Sequence, residues 1–279
     1  MTYETGADIR AGITIAELLR RAPFDTLDNR QLAAHALRLS RTALITQSEH
    51  RLDADEAARV TAAFARRATG EPVAYILGSR EFYGLALKVT PDVLIPRADT
   101  ELLVERILAC AAPGATVVDL GTGSGAIAIA VARNRADLQV TATDASAAAL
   151  EVAGHNAALH RVRLTLLQGD WHAPLAGRRF DIIAANPPYI QANDVHLMQG
   201  DLPFEPIDAL TDHADGLTAL RSIVAGAVAQ LNPGGWLLLE HGFDQAAAVR
   251  TLLHEAGLAD VASWTDIAGI ERVSGARLA

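Results

Sequence analysis

The chain has 279 residues, of which 50% are hydrophobic and 20% are charged, and its formal net charge is −9. This composition is typical of a globular protein and leaves room for two domains. The acidic excess disfavours nucleic acid as a general partner, because phosphate contacts supply most nonspecific affinity for DNA and RNA. The single cysteine, Cys110, excludes a disulfide within the chain and favours a reducing, cytoplasmic location.

Residues 1–8 lack the basic start and apolar stretch of a secretory signal. No apolar stretch is long enough to span a bilayer, so we expect no membrane association.

The first part of the chain is predicted to be helical. Apolar stripes with helical spacing begin at Ile15, Leu32 and Val60, and Asp53 or Asp55 is a candidate cap for the third helix. Residues 1–78 are therefore predicted to form a small helical bundle.

The rest of the chain predicts a sheet domain. Residues 79–98 are interpreted as a hairpin linker, because two short apolar runs flank Gly84. In residues 99–279, apolar runs alternate with helical patterns, which indicates an α/β fold with a doubly wound, mostly parallel sheet. The last residues, from Val261 on, are expected to add one or two antiparallel edge strands. The predicted strands cover 116–120, 139–143, 163–167, 180–185 and 236–240, and the main helices cover 126–133, 147–159, 217–231 and 244–256.

A glycine-rich turn follows the first of these strands, in the sequence Asp119-Leu120-Gly121-Thr122-Gly123-Ser124-Gly125. Glycines at such a turn let the backbone pass close to a ligand at a helix N-terminus. Asp144 ends the next strand, where a carboxylate can hold a ribose diol. Asp170 offers an acceptor for an adenine amine, and Trp171 offers a ring for stacking, although core packing would explain Trp171 almost as well.

The glycine-rich turn by itself leaves two cofactor classes open. Gly121, Gly123 and Ala126 satisfy the loose dinucleotide-binding pattern, so a nicotinamide-dependent oxidoreductase competes with a methyltransferase. The carboxylate of Asp119 would repel a pyrophosphate, whereas it suits the cationic end of S-adenosylmethionine.

The tetrapeptide Asn186-Pro187-Pro188-Tyr189 follows an apolar strand and carries the most specific signal. Two prolines cannot donate to a sheet, so the strand ends there and the tetrapeptide projects from the carboxyl edge, where α/β folds bind ligands. The Asn186 side chain and the Pro187 and Pro188 carbonyls can accept hydrogen bonds, and Tyr189 offers a flat ring. This set predicts a grip for a planar group that bears an NH2, with a plain Pro-Pro turn as the alternative.

Together these residues resemble class I S-adenosylmethionine-dependent methyltransferases, and among them the release-factor glutamine N5-methyltransferases (the PrmC/HemK family). The resemblance covers nearly the whole chain. Besides the glycine-rich turn and the tetrapeptide, it rests on Arg80-Glu81-Phe82-Tyr83-Gly84, Leu94-Ile95-Pro96-Arg97, Asp99-Thr100-Glu101, Phe204-Glu205-Pro206 and Glu240-His241-Gly242. One departure is Ala98, which stands where the family commonly has a second proline.

The resemblance implies a seven-stranded, Rossmann-like methyltransferase sheet with a small N-terminal helical domain that helps to recognise the substrate protein. The substrate would be the glutamine of the Gly-Gly-Gln motif in class I peptide-chain release factors, held by Asn186, Pro187, Pro188 and Tyr189. Of these, Asn186, Pro187 and Tyr189 would be catalytic, and no metal is expected. S-adenosyl-L-methionine would contact Gly121, Thr122, Gly123, Ser124, Gly125, Asp144, Asp170, Trp171 and Asn186.

Three other functions remain as alternatives. The tetrapeptide could also grip the N6 of adenine or the N2 of guanine in a nucleic-acid amino-methyltransferase, which the acidic charge disfavours. The nicotinamide-dependent oxidoreductase is disfavoured by Asp119. A non-catalytic adaptor with a relic cofactor fold is disfavoured because every expected site residue is present. We expect no direct nucleic-acid partner.

Overall fold

The chain divides after Gly78 into two units, the second of which runs from Ser79 to Ala279. The computed structural model describes residues 9–279, so residues 1–8, on which the expectation about a secretory signal rests, lie outside the described residues. None of the helices within 9–279 combines the length and the apolar character needed to cross a membrane.

The smaller unit is helical between residues 9 and 78. It contains α1 (Ile15–Arg21), α2 (Thr26–Leu37), α3 (Arg41–Thr46), α4 (Ala54–Ala68) and α5 (Val73–Leu77). Thr14 caps α1 and Asp53 caps α4, and in each case the glutamate three residues later completes a capping box. The cap of α4 is therefore Asp53 and not Asp55. The core of this smaller unit includes the buried Ile15, Leu32, Val60 and Phe64.

The larger unit begins with an antiparallel hairpin of β1 (Ser79–Phe82) and β2 (Leu85–Lys88). Phe82 and Leu87 are buried in the same core as the main sheet. The side chain of Asn156 accepts from the Lys88 N–H at 2.7 Å and donates to the Lys88 carbonyl at 2.9 Å. The segment interpreted as a linker is thus packed into the larger unit.

Seven strands form the main sheet in the spatial order β5-β4-β3-β6-β7-β9-β8. They are β3 (Thr116–Leu120), β4 (Gln139–Asp144), β5 (Thr165–Gln168), β6 (Phe180–Ala185), β7 (Leu231–Glu240), β8 (Ala259–Thr265) and β9 (Glu271–Arg277). β3 to β7 are parallel, and β9 runs antiparallel to both β7 and β8. This arrangement confirms the predicted α/β fold with a doubly wound, mostly parallel sheet. Of the two antiparallel strands, only β8 is at the edge.

Helices cover both faces of the sheet. They are α6 (Glu101–Cys110), α7 (Ala126–Asn134), α8 (Ala147–Leu159), α9 (Thr218–Gln230) and α10 (Ala246–Glu255). Successive strand residues point to opposite faces, so Val117 packs with α6 and α7, whereas Val118 packs with α9 and α10. Because both faces are covered, the strands read as almost continuous apolar runs.

β7 begins five residues earlier than the predicted strand at Trp236, because the Asn232-Pro233-Gly234-Gly235 segment is part of it. A Pro-Gly-Gly sequence normally indicates a break in a strand. Here the pairing of β6 with β7 is irregular between Phe180 and Ile182, which accommodates the segment. A Cβ at Gly235 would lie 2.9 Å from the Asp181 carbonyl oxygen, so the close approach of the two backbones requires glycine.

The strand order places a crevice at one edge of the sheet. From β3 the chain moves to β4 and β5 on one side, and then crosses to β6 on the other side of β3. In such folds ligands bind beyond the carboxyl ends of the strands at this switch point. The glycine-rich turn after β3 and Asn186 after β6 are neighbours there, because Leu120 pairs with Ala185.

Candidate active site

The glycine-rich turn is built from backbone conformations that favour glycine. Gly121, Gly123 and Gly125 have φ values of 73°, 54° and 83°, in the left-handed region that costs other residues energy. The N–H groups of Gly121 and Thr122 both donate to the Thr143 carbonyl at 2.9 Å. The turn is therefore fixed to the end of β4 and leads directly into α7.

Asp144 lies against this turn. One carboxylate oxygen accepts from the Gly123 N–H at 2.8 Å, and the other accepts from the Ser146 N–H at 2.9 Å. The side chain is half-exposed, and each oxygen keeps a further lone pair for a ligand hydroxyl. The position fits the proposed contact with a ribose.

Trp171 also reaches the turn, from the segment that follows β5. A Cβ at Gly121 would lie 3.3 Å from Cζ3 of the Trp171 ring. The ring is partly buried against the core cluster of α9 and α10, so it both packs and borders the crevice. Trp171 has a φ of 37°, an unusual conformation for a bulky residue, of the kind that concentrates at functional sites. Asp170, beside it, is exposed.

Asp119, the last but one residue of β3, carries the charge that separates the two cofactor classes. Its side chain is buried, and its Oδ2 accepts from the Thr122 hydroxyl at 2.6 Å. Its Oδ1 is buried and has no hydrogen-bond partner among residues 9–279. Burial raises the pKa of Asp119 to about 6, and the nearby Asp144 adds to the increase.

An ionised carboxylate with an unpartnered buried oxygen favours a cationic ligand and repels a phosphate. The residues at the crevice therefore fit S-adenosylmethionine better than a nicotinamide dinucleotide. Thr122 and Ser124 are buried, and the Thr122 hydroxyl is engaged by Asp119, so the turn offers a ligand mainly its backbone.

The tetrapeptide leaves β6 at the same edge. The Asn186 side chain is half-buried, and its Nδ2 donates to the Thr100 hydroxyl at 3.1 Å. Because the NH2 is engaged by Thr100, the carbonyl oxygen Oδ1 remains available as an acceptor. Pro187 is buried, whereas Pro188 and Tyr189 are half-buried.

Gln245 fixes the backbone at Tyr189, the last residue of the tetrapeptide. Its Nε2 donates to the Tyr189 carbonyl at 3.0 Å and to the Gly216 carbonyl at 3.2 Å. Burial, and then the charge of Glu240, raise the pKa of the Tyr189 hydroxyl, so the phenol stays protonated at neutral pH. The tetrapeptide is thus a fixed platform.

An ion pair joins the Ile-Pro-Arg segment to the Phe-Glu-Pro segment. Glu205 is buried, accepts from the Ile95 N–H at 2.9 Å and forms an ion pair with Arg97. Burial raises the pKa of Glu205, and the Arg97 charge opposes that effect. Both segments are motifs of the family that the sequence resembles, but the sequence pattern does not show that Arg97 and Glu205 meet.

Cys110 and the metal-ligating residue types lie as follows. Cys110 ends α6 and is half-buried, and burial raises the pKa of its thiol, which makes it a poor nucleophile. Within the described part of the chain, no three His, Cys, Asp or Glu side chains are grouped closely enough to hold a metal ion.

Comparisons with known proteins extend this picture. The family described as "Methyltransferase small domain" matches residues 97–201, and the "PrmC N-terminal domain" matches residues 13–78. Among solved structures, the T. thermophilus 16S rRNA N2 G1207 methyltransferase in complex with AdoMet and guanosine has a TM-score of 0.55 at 22% identity. That match covers 72% of this chain and 50% of the other, and it shows the fold alone.

Curated relatives match over almost the full length. The release factor glutamine methyltransferase of Burkholderia pseudomallei is 56% identical over 276 residues, which cover 95% of this chain and 96% of that protein. The protein of the same name from Bordetella pertussis is 51% identical and covers 95% of this chain and 99% of its own length. The one from Neisseria gonorrhoeae is 46% identical and covers 94% of this chain and 97% of its own length. The chain belongs to the release factor glutamine methyltransferase family.

Proposed function

We propose that this protein transfers a methyl group from S-adenosyl-L-methionine to the side-chain amide nitrogen (N5) of the glutamine in the Gly-Gly-Gln motif of class I peptide-chain release factors. The observation that carries the proposal is the orientation of Asn186. Its NH2 is engaged by Thr100, so an acceptor oxygen is available beside the glycine-rich turn at the switch point of the sheet.

The cofactor is held, in this proposal, by the residues that border the crevice. The backbone of Gly121, Thr122, Gly123, Ser124 and Gly125 lies beneath it, Asp119 faces its cationic end, Asp144 holds the ribose, and Asp170, Trp171 and Asn186 complete the site. When bound, S-adenosyl-L-methionine supplies an electrophilic methyl group on a sulfonium.

The chain's own contribution is to make an amide nitrogen reactive and to aim it. That nitrogen is a poor nucleophile, because its lone pair is delocalised into the carbonyl. Asn186 Oδ1 and the Pro187 carbonyl accept its two hydrogens, which moves electron density to the nitrogen. Tyr189, with Pro188, fixes the plane of the amide. Most of the rate gain comes from proximity and orientation, with a further part from preorganised dipoles, and the proton leaves to water or a carbonyl acceptor.

A polypeptide substrate suits the surface near the tetrapeptide better than a nucleic acid does. Five large apolar side chains are exposed in the segments that follow the tetrapeptide and β7, at Val195 (68%), Met198 (80%), Phe204 (37%), Ile207 (49%) and Phe243 (70%). The crevice itself carries the carboxylates of Asp119, Asp144 and Asp170, which would repel a phosphate backbone. Adenine and guanine methylation is accordingly not favoured.

The relatives' names point to release factors as the substrate. We assign the helical unit that ends at Gly78 a part in recognising the factor, because the family domain matched over residues 13–78 is a separate unit from the methyltransferase sheet. A cytoplasmic location, expected from the single cysteine, remains a prediction.

Label transfer tests the proposed function. The purified protein is incubated with methyl-labelled S-adenosylmethionine and a class I release factor, in parallel with a factor whose Gly-Gly-Gln glutamine is replaced by asparagine, and with DNA and RNA. We expect label on the intact factor alone. Label on nucleic acid, with none on the factor, would show that the tetrapeptide grips an NH2 group but that the substrate class is wrong.

A further inference from the structure

A line of three polar side chains runs from the tetrapeptide into the protein interior. Asn186 follows β6, Thr100 lies just before α6, and Glu240 ends β7, next to β6 in the sheet. Thr100 and Glu240 are only 4% and 1% exposed. The mechanism above uses Asn186 and its hydrogen bond to Thr100, but it gives Glu240 no role.

The contacts of Glu240 are unusual for a buried carboxyl. The hydroxyl groups of Thr100 and Tyr189 interact with it. Its Oε2 has no hydrogen-bond partner within the described residues, although a buried polar atom is normally paired. A buried carboxyl oxygen without a partner costs free energy, which makes Glu240 a candidate for a role at the site.

The effect of Glu240 on Thr100 and Asn186 follows from which of these groups can donate a hydrogen bond. A threonine hydroxyl both donates and accepts, so Thr100 alone could bind either end of the Asn186 amide. An ionised carboxylate only accepts, so beside Glu240 the Thr100 O–H points to the carboxylate. The Thr100 lone pair is then left for the Asn186 NH2, in agreement with the observed bond of 3.1 Å. The Asn186 carbonyl oxygen must consequently face the other way.

We propose that Glu240 and Thr100 are positioning residues that set the direction of the Asn186 amide, so that its carbonyl oxygen and not its NH2 is presented to the substrate amide. The inference rests on the proposed function, since only a substrate that brings N–H groups needs an acceptor there. With the amide reversed, Asn186 would present donors to donors.

The direction of the hydrogen bonds along Glu240, Thr100 and Asn186 depends on the charge of Glu240. Burial raises the pKa of Glu240 to about 7. The charged groups that face the carboxyl are Asp99, which raises the pKa further, and Arg272, which lowers it, and Tyr189 stays protonated. Once protonated, Glu240 donates to Thr100, and the donor and acceptor roles of Thr100 and Asn186 can reverse. The methyl transfer that depends on this orientation of Asn186 is therefore fastest above the pKa of Glu240, and it is lost as the pH falls through about 7.

Steady-state kinetics with the release factor test the proposal through Thr100→Val, Thr100→Ser, Glu240→Gln and the double variant Thr100→Val/Glu240→Gln. Thr100→Val should lower kcat about tenfold to hundredfold, as expected when a reacting group loses its orientation, with a smaller change in KM. Thr100→Ser keeps the hydroxyl and should restore most of the rate. Because both residues act through Asn186, the double variant should be no slower than the slower single variant.

The pH profile separates positioning from a structural role. The wild type should lose kcat as the pH falls through about 7, and this limb should be absent from Thr100→Val and Glu240→Gln. Thr141→Val is the matched control, because Thr141 is a buried threonine of β4 outside the site, and the variant should keep the wild-type profile. Equal loss of rate in Thr100→Ser and Thr100→Val, or additive effects in the double variant, would overturn the proposal.

A spectroscopic measurement tests the hydrogen bonds between Glu240, Thr100 and Asn186 without any release factor. It therefore distinguishes failure of the positioning proposal from failure of the proposed function. The side-chain NH2 signals of Asn186, identified by their loss in Asn186→Asp, are followed by proton–nitrogen NMR from pH 5 to 9. They should titrate with a midpoint near 7 in the wild type and not in Glu240→Gln. Signals that do not titrate in the wild type, or that still titrate in Glu240→Gln, would contradict the assignment.

Discussion

The ring of Trp171 lies against Gly121, so closely that a Cβ at position 121 would be 3.3 Å from Trp171 Cζ3. Gly121→Ala should therefore displace the ring and lower the affinity for S-adenosylmethionine about tenfold, or about 1.4 kcal/mol. Calorimetric titration with the cofactor measures this change. The variant should also lose about 1 kcal/mol of stability, because its φ of 73° strains alanine.

Gly114→Ala provides the matched control for this substitution. Gly114 has the same φ of 73°, but nothing lies within 4 Å of the Cβ position. It should show the same loss of stability and bind the cofactor with wild-type affinity. If both variants bound the cofactor equally well, the assignment of Trp171 to the cofactor site would be wrong.

The ion pair between Arg97 and the buried Glu205 should contribute to the stability of the fold. Arg97→Met leaves the Glu205 carboxylate buried with only the Ile95 N–H as a partner. Removal of one partner of a fully buried pair costs about 3–5 kcal/mol, and the 35% exposure of Arg97 reduces this to about 1–3 kcal/mol. Urea unfolding of the variant measures the loss.

Arg221→Met is the control, because the Arg221–Asp215 pair is about half exposed on both sides. Its free energy of unfolding should stay within about 0.5 kcal/mol of the wild type. An equal loss in the two variants would argue against any special role for the buried pair.

Asp119 should make the stability of the cofactor-free protein depend on pH. Burial raises its pKa from 3.8 to about 6 in the folded state. Between these values the folded state binds more protons than the unfolded state, so the free energy of unfolding falls as the pH rises. About two pKa units correspond to about 3 kcal/mol at neutral pH, as an order of magnitude.

Asp119→Asn removes this dependence. The stability of the variant relative to the wild type should therefore increase by about 3 kcal/mol between about pH 4 and pH 7, as measured by denaturant unfolding at each pH. At the same time, its affinity for S-adenosylmethionine should fall, since the acceptor charge is lost. Two stability curves that stay parallel across this range would show that Asp119 is not buried as a carboxylate in the folded protein.

The exposed apolar side chains near the tetrapeptide should contribute to binding of the release factor. Met198→Ser combined with Phe243→Ser should raise the KM for the factor about tenfold, since buried apolar contacts at an interface commonly provide that much. Cofactor affinity and stability should change little, because both residues are exposed. Leu159→Ser is the control, since the exposed Leu159 ends α8 on the opposite edge of the sheet, and its KM should be unchanged.

Features encoded by local pattern could be predicted from the sequence. The apolar runs of β3 to β6, the glycines with positive φ and the Pro187-Pro188 stop are each set by a few neighbouring residues. The family resemblance implied that Asn186 and the glycine-rich turn contact one cofactor, and the parallel strands that precede them do end side by side. The roles assigned to individual site residues remain predictions.

Other features could not be predicted, because they depend on the tertiary fold. Arg97 and Glu205 are 108 positions apart, and Thr100 meets Asn186 across 86 positions. The short helices α3 and α5 have six and five residues, too few to show a helical period. The early start of β7 could not be predicted, because its Pro-Gly-Gly segment has the composition of a break and only pairing with β6 makes it part of the strand.

The grip of Asn186 on the substrate amide is tested most directly by a single-turnover experiment with Asn186→Ala at saturating cofactor and release factor. The rate of methyl transfer is followed by mass spectrometry of the Gly-Gly-Gln peptide, and cofactor binding and melting temperature are measured on the same sample. We expect a loss of at least about a hundredfold in the rate of methyl transfer, in a protein that is still folded and still binds the cofactor. Methyl transfer at close to the wild-type rate would contradict it.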